Sequence, residues 1–272
     1  MTATRNGTGW DLASVTARGR VRPVDVVRSE WSKARTLRST WYTLPGLVIV
    51  GALLTLLFAN AARRGQADPE ADPFEWVFRG LLILQLIAGY LGARAVTVEY
   101  ATGTLGGSLT AVPRRGRILA AKAVVYAAMA LVAGWVTAVT MFLIGRTVLT
   151  ARGLPFYAVT DPGVARALAG VGLYMAVMSL FGLAIGVLVR TTAGAVTVLF
   201  LVSLLIPVLS QLYPAWLATF VVKYFPTTAG VRLLTVKDDP ALLAPWPGFA
   251  VFCAYTVVLL AVAYVVFRRR DA

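Results

Sequence analysis

Apolar residues gather into six long runs along this 272-residue chain. A helix rises about 1.5 Å per residue, so about 20 apolar residues cross the ~30 Å hydrocarbon core of a bilayer. Runs of that order lie at 42–60, 77–98, 118–145, 167–189, 193–212 and 248–267, and each is predicted to be a membrane-spanning helix. Ahead of the first run, over 24–41, the period changes. Val27, Trp31, Ala34, Leu37 and Trp41 recur at steps of three and four, while Arg28, Lys33, Arg35 and Arg38 occupy other faces. That stripe predicts an amphipathic helix lying in the headgroup region with its basic side toward phosphates and cytosol. Pro23 suits its first turn, and Pro45-Gly46 is expected to bend the chain into the bilayer. Between the fifth and sixth runs, "AWLATFVVKYF" is too apolar for an open loop and too short to cross, which predicts an outer re-entrant or interfacial helix pair. Tyr213, Trp216, Tyr224 and Trp246 suit an aromatic belt at that surface.

The expected fold class is thus an all-α membrane protein: six transmembrane helices, an N-terminal amphipathic interfacial helix, and an outer helix pair before the last span. Residues 1–23 are expected to form a flexible N-terminus and 268–272 a basic tail. Composition agrees, with 58% apolar and only 14% charged residues. The net charge of +14 raises nucleic acid as a partner, but no soluble stretch is long enough to fold into a reader of bases. Anionic inner-leaflet lipid and membrane topology account for the arginines instead.

No apolar h-region interrupts the basic first forty residues, so no cleavable signal is expected and the N-terminus should stay inside. With that orientation the inner side carries 17 bases and 5 acids and the outer side 9 bases and 7 acids. Both termini are therefore expected in the cytoplasm and the protein in the cell membrane. A lone cysteine, Cys253, excludes an intrachain disulfide framework and a multi-cysteine metal site. The absence of histidine excludes Ser-His-Asp triads and H-E-x-x-H zinc sites. All twelve acids fall outside or at the ends of the apolar runs, which argues against an intramembrane aspartyl protease.

One connecting segment, "EYATGTLGGSLTAVPRRGR" at 99–117, is richer than a turn requires. A short helix is expected through Leu105 to Ala111, ended by Pro113 and flanked by charge, a surface suited to a protein partner. Glu99-x3-Gly103-Thr104, then Leu109, Pro113, Arg114 and Arg115, and Lys122 opening the next span, resemble the cytoplasmic coupling segment of permease subunits of bacterial type-2 ABC exporters. The preceding "SEWSKARTLRSTWYTL", with Arg28 just before it, is similar to their amino-terminal connecting helix. Ala121 departs from the pattern, where a glycine often precedes the lysine of span three. The resemblance covers nearly the whole chain after about Val24.

What it implies is a permease half. Two such subunits, identical or homologous, form the pathway. Separate ATP-binding subunits, which carry ATP and Mg, dock on the coupling segment (Glu99, Gly103, Thr104, Leu109, Pro113, Arg114, Arg115) and on the connecting helix (Arg28, Trp31, Lys33, Arg35, Arg38). A hydrophobic or amphipathic substrate leaves the cytoplasm or inner leaflet. The chain has no G-x4-G-K-[ST], and none of its lysines follows a glycine, so it is expected to hold no nucleotide, cofactor, metal or catalytic residue and to be no enzyme by itself. Gln85, Tyr90, Thr137, Thr140 and Ser203 are pathway candidates, with a helix–helix hydrogen bond as the competing role of each. Gly182-x3-Gly186 reads as a packing motif. Two rivals stay open: half of a dimeric ion-coupled secondary transporter, with Pro207 breaking span five, and a non-transporting membrane scaffold or immunity subunit.

Overall fold

A computed structural model describes residues 22–62, 72–104, 115–237 and 239–269. Among the described residues all regular structure is helical. In chain order the helices are α1 (Pro23–Thr36), α2 (Arg38–Ala61), α3 (Pro73–Phe78), α4 (Leu81–Thr102), α5 (Arg115–Ala151), α6 (Val164–Val189), α7 (Thr192–Leu212), α8 (Ala215–Tyr224), α9 (Pro226–Val231) and α10 (Pro245–Arg269). Six of them, α2, α4, α5, α6, α7 and α10, are long and apolar enough to cross a membrane. Much of the expected flexible N-terminus, the helix expected at Leu105 to Ala111 and the end of the basic tail lie outside the described residues.

Local chemistry fixes the ends. Pro23 opens α1, and the Arg22 amide donates to the Asp25 carboxylate at 3.1 Å, satisfying a donor that the first turn leaves free. The amphipathic helix was expected to reach Trp41 and the bend to fall at Pro45-Gly46. Instead the break falls at Leu37, which is extended (φ −72°, ψ 112°), and both Trp41 and Pro45 belong to α2. Pro45, the eighth residue of α2, removes a single hydrogen-bond donor, while the Trp41 indole donates across the break to the Arg35 carbonyl at 2.7 Å. The second span also starts later than position 77. Asp72 caps α3 by accepting from the Phe74 amide at 2.9 Å, a turn at Arg79-Gly80 follows, and α4 then begins.

Helix α6 is the centre, with 78% of its most apolar stretch inside the protein; α4 follows at 61%, whereas α7 and α10 bury only 17% of theirs. Helix α4 lies against α6, α5 packs on α6 and α2, and α9 packs with α10. The α4–α6 contact depends on missing side chains. A methyl group at Gly92 would overlap the Ser179 carbonyl oxygen, and one at Gly182 would overlap the Gly89 carbonyl oxygen. Without a strong hydrophobic drive between helices in lipid, backbone approach at small residues supplies the packing.

Helix α7 is irregular for a stated reason. A proline lacks the N–H that would reach the carbonyl four residues back, and its ring crowds that carbonyl. Pro207 therefore frees the Ser203 carbonyl, and Leu201–Leu205 widens into a π turn, followed by a 3₁₀ turn at Leu209–Leu212.

Gly92→Val and Gly182→Val should each lower the apparent Tm in detergent by about 5–10 °C or prevent accumulation, since overpacking costs about 1–3 kcal/mol or more. Gly46→Ala, with nothing near the added methyl group, should change the Tm by less than about 2 °C.

Candidate functional site

Two lysines and two glutamates meet where α1, α4 and α5 converge. Lys122 near the start of α5 donates to Glu30 Oε2 of α1 and to Glu99 Oε1 near the end of α4, both at 2.7 Å. Lys33 Nζ reaches Glu30 Oε1 at 2.8 Å and Glu99 Oε1 at 3.3 Å. The side chains of Lys122 and Glu30 are only 3% and 4% exposed, Glu99 is 13% exposed, and Lys33 is partly open at 41%. Burying ions costs several kcal/mol each, so the cluster is tolerable because its charges cancel and each lysine bridges both carboxylates. Glu99 Oε2 is buried with no partner among the described residues.

Burial lowers the pKa of Lys33, but the hydrogen bond and charge of Glu30 and the charge of Glu99 outweigh it and hold the ammonium above its ordinary range. A lysine raised in this way stabilises the fold fully below its ordinary pKa near 10.4. That contribution disappears as pH rises through the folded value.

The periodic stripe of α1 divides between two faces. Its buried residues are Val26, Glu30 and Ala34, which share the interior with Ile118, Ala121 and Lys122 of α5. Trp31 is 42% exposed and Trp41 64%. Arg28, Arg35 and Arg38 are exposed, whereas Lys33 turns inward to the carboxylates. Sequence reasoning missed Glu30 as a site residue because a glutamate on an amphipathic helix is ordinarily solvated. The signal available was its four-residue spacing from Val26 and Ala34. Within the coupling segment, Glu99 contacts its own subunit, Gly103 ends α4 with a left-handed φ of 67°, and Thr104 is exposed. Leu109, Pro113 and Arg114 lie outside the described residues, as does the Arg115 side chain.

A second, uncharged junction joins α4, α6 and α7 in mid-bundle. The Gln85 amide nitrogen donates at 2.9 Å to the Ser203 carbonyl that Pro207 frees, and Gln85 Oε1 accepts from the Tyr174 hydroxyl at 2.6 Å. Gln85, Ser203 and Pro207 border a cavity of about 330 Å³ that extends to Thr227 of α9. The Ser203 and Thr227 hydroxyls are buried without partners among the described residues. Nearer the α1 end, Tyr90 borders an open groove of about 500 Å³ with Tyr42, Gly46 and Val50 of α2 and Val196 of α7. Arg94 donates to the Tyr90 hydroxyl at 2.7 Å. The remaining pathway candidates do not join these openings: Thr137 and Thr140 donate to carbonyls of their own helix, Ala133 and Val136.

Six apolar helices around the small-residue contact of α4 with α6, with an ion-paired junction at one end, define a multi-pass membrane protein. A family model for ABC-2 family transporter proteins matches residues 26–206, from α1 into the bend of α7, and the chain belongs to that family. A search of curated proteins returned no match. Membership makes the protein an ABC transporter permease, the membrane part of the machine.

Removing one partner from a buried pair leaves an uncompensated charge. Lys122→Met should therefore cost about 3–5 kcal/mol in detergent unfolding, and Glu30→Gln combined with Lys122→Met should recover a large part of that loss. For the unmodified protein, the Lys33 contribution to stability should be constant from pH 7 to 9 and fall above about pH 10. A Lys33→Met comparison across that range isolates it.

Proposed function

We propose that this chain is the pathway-forming half of an ATP-driven exporter, paired with a second permease subunit and driven by separate ATP-binding subunits at the α1 end, on the cytoplasmic side. The observation carrying this reading is the buried Glu30–Lys33–Glu99–Lys122 junction. It fastens the amphipathic α1 to both ends of the segment 103–114, so displacement of that segment or of α1 acts on α4 and α5 together. A plain turn between two spans would carry no such constraint.

Glu99 is then a positioning residue inside the subunit, not a contact reaching out to the partner. Docking is left to the exposed Arg38 at the start of α2 and to segment 103–114, while Arg28 and Arg35 face outward from α1. Thr104, Leu109, Pro113, Arg114 and Arg115 keep the docking role implied by the family. The substrate route runs along α4 and α7, from the groove at Tyr90 to the cavity at Gln85 and Ser203. Leu82, Leu86 and Tyr90 follow one another at four-residue steps on α4 and border the two openings, which supports a single continuous face. Its lining is largely apolar, with hydroxyls, the Gln85 amide and the charged Glu75, Arg79 and Arg232 at the cavity, which suits an amphipathic substrate leaving the cytoplasm or inner leaflet. Opposing a second copy to this face would close the route on its open side.

Purified alone, the chain should hydrolyse no ATP, and activity should appear on reconstitution with the P-loop subunit. Substantial turnover by the chain alone would overturn the reading. Glu99→Gln should lower partner-stimulated hydrolysis and transport together by roughly five- to thirtyfold, the range of a coupling energy of about 1–2 kcal/mol. A variant that inserts normally and keeps both activities would remove the junction from the mechanism.

A further inference from the structure

A groove of about 510 Å³ runs between α1, α2 and α5, on the other side of α1 from the ion pairs. Its walls are nearly wholly apolar, with Leu44 and Val48 from α2 and Met129 and Val132 from α5, and its rim at α1 carries Trp31 and Arg35. Glu30 and Lys33 face inward, which leaves Arg28, Trp31 and Arg35 at positions i, i+3 and i+7 on one outward face of α1. Among the described residues neither arginine is paired with a carboxylate, since both glutamates nearby are held by Lys33 and Lys122. The Trp41 indole N–H is already engaged by the Arg35 carbonyl, so the rim offers the Arg35 guanidinium and aromatic surface, with the Arg28 guanidinium two turns back on the same face of α1.

We propose that this groove holds an acyl chain of an anionic phospholipid whose headgroup phosphate is bound by Arg28 and Arg35. The volume lies within the range of about 300–1,000 Å³ typical of ligand sites, and apart from Thr40 the wall below the rim offers an acyl chain nothing polar to desolvate. Guanidinium groups match phosphate with two parallel donors, and a tryptophan between them sits at the depth where indoles favour the membrane interface. A second copy of the chain meeting this face symmetrically would oppose arginine to arginine, which disfavours a protein occupant of that kind. The proposal rests on α1 lying at a membrane surface, and not on coupling to ATP. A lipid seated there wedges α1 against α2 and α5 on the side that the ion pairs leave open, so lipid charge sets how firmly α1 is held.

The test places one cysteine in the groove, Ala128→Cys in a Cys253→Ala background, labels it with bimane, and reconstitutes the protein in neutral vesicles. Spin-labelled phosphatidylglycerol or spin-labelled phosphatidylcholine is then titrated as the quencher. Half-maximal quenching by phosphatidylglycerol should need a mole fraction roughly tenfold lower than by phosphatidylcholine. The preference should vanish with Arg28→Gln plus Arg35→Gln and shrink in high salt with both arginines intact, which covers the case of a poorly folding variant. The same label at Leu57→Cys, on the exposed outer part of α2, should show no preference. Equal quenching at position 128 by the two lipids marks an ordinary annular surface and overturns the proposal. A preference indifferent to both arginines and salt also overturns it. Absence of quenching by either lipid, as when residues 1–21, a second copy or the ATP-binding subunit fills the groove, overturns it as well.

Discussion

Lys122 sits 3% exposed near the start of a membrane helix, where an unpaired ammonium would cost more than any neighbouring contact returns. Everything at the α1 end follows from that constraint. Glu30 must come from α1 and Glu99 from α4, 92 and 23 residues before Lys122, so three elements are held to one point. Lys33 balances the second carboxylate and, being partly open, remains the member that solvent can reach. The cluster gives specificity of arrangement more than raw stability, because an apolar set of similar volume could hold the helices equally well. What an apolar set lacks is intolerance of separation: parting α1 from α5 would strand buried charges, so the elements move together.

The mid-bundle junction works by the same logic with neutral groups. Pro207 removes a helix hydrogen bond in a setting where water cannot replace it, and Gln85 supplies the missing donor to the Ser203 carbonyl. Tyr174 in turn satisfies the other half of the Gln85 amide. The central α6 and the peripheral α7 are thus linked through α4 by polar bonds at the place where α7 is least regular. The glycine contacts of α4 with α6 sit beside this junction and set the distance at which a glutamine side chain can span the gap.

Six spans, their helical character and the family were legible in the sequence because run length and composition speak directly to a bilayer. The break at Leu37 was not, since Pro45-Gly46 is the stronger local signal for a bend and nothing in a one-dimensional pattern reveals an indole closing a helix end six residues back. The faces of α1 were misjudged for a related reason. A 3.6-residue stripe weighs Glu30 as polar, whereas the partner that buries it, Lys122, lies 92 positions away, a distance no periodicity detects. Gln85, Ser203 and Tyr90 were identified as polar residues in apolar runs, and their neighbours depended on the third dimension. Thr137 and Thr140 show the limit of that method, because a threonine hydroxyl in a helix can satisfy itself on the preceding turn.

Helix α5 has 37 residues, which makes it a rod of about 55 Å, well beyond the ~30 Å of hydrocarbon it crosses. One end carries Lys122; just past the other, Arg152 donates to the Asn60 carbonyl at 2.6 Å and so grips the far end of α2. Pivoted near its base, a rod of that length that tilts by about 5° carries its far tip through roughly 5 Å, a displacement comparable to one helical turn. A tilt about the base is therefore magnified at the opposite end of α5, and the Arg152–Asn60 bond ties α2 to it.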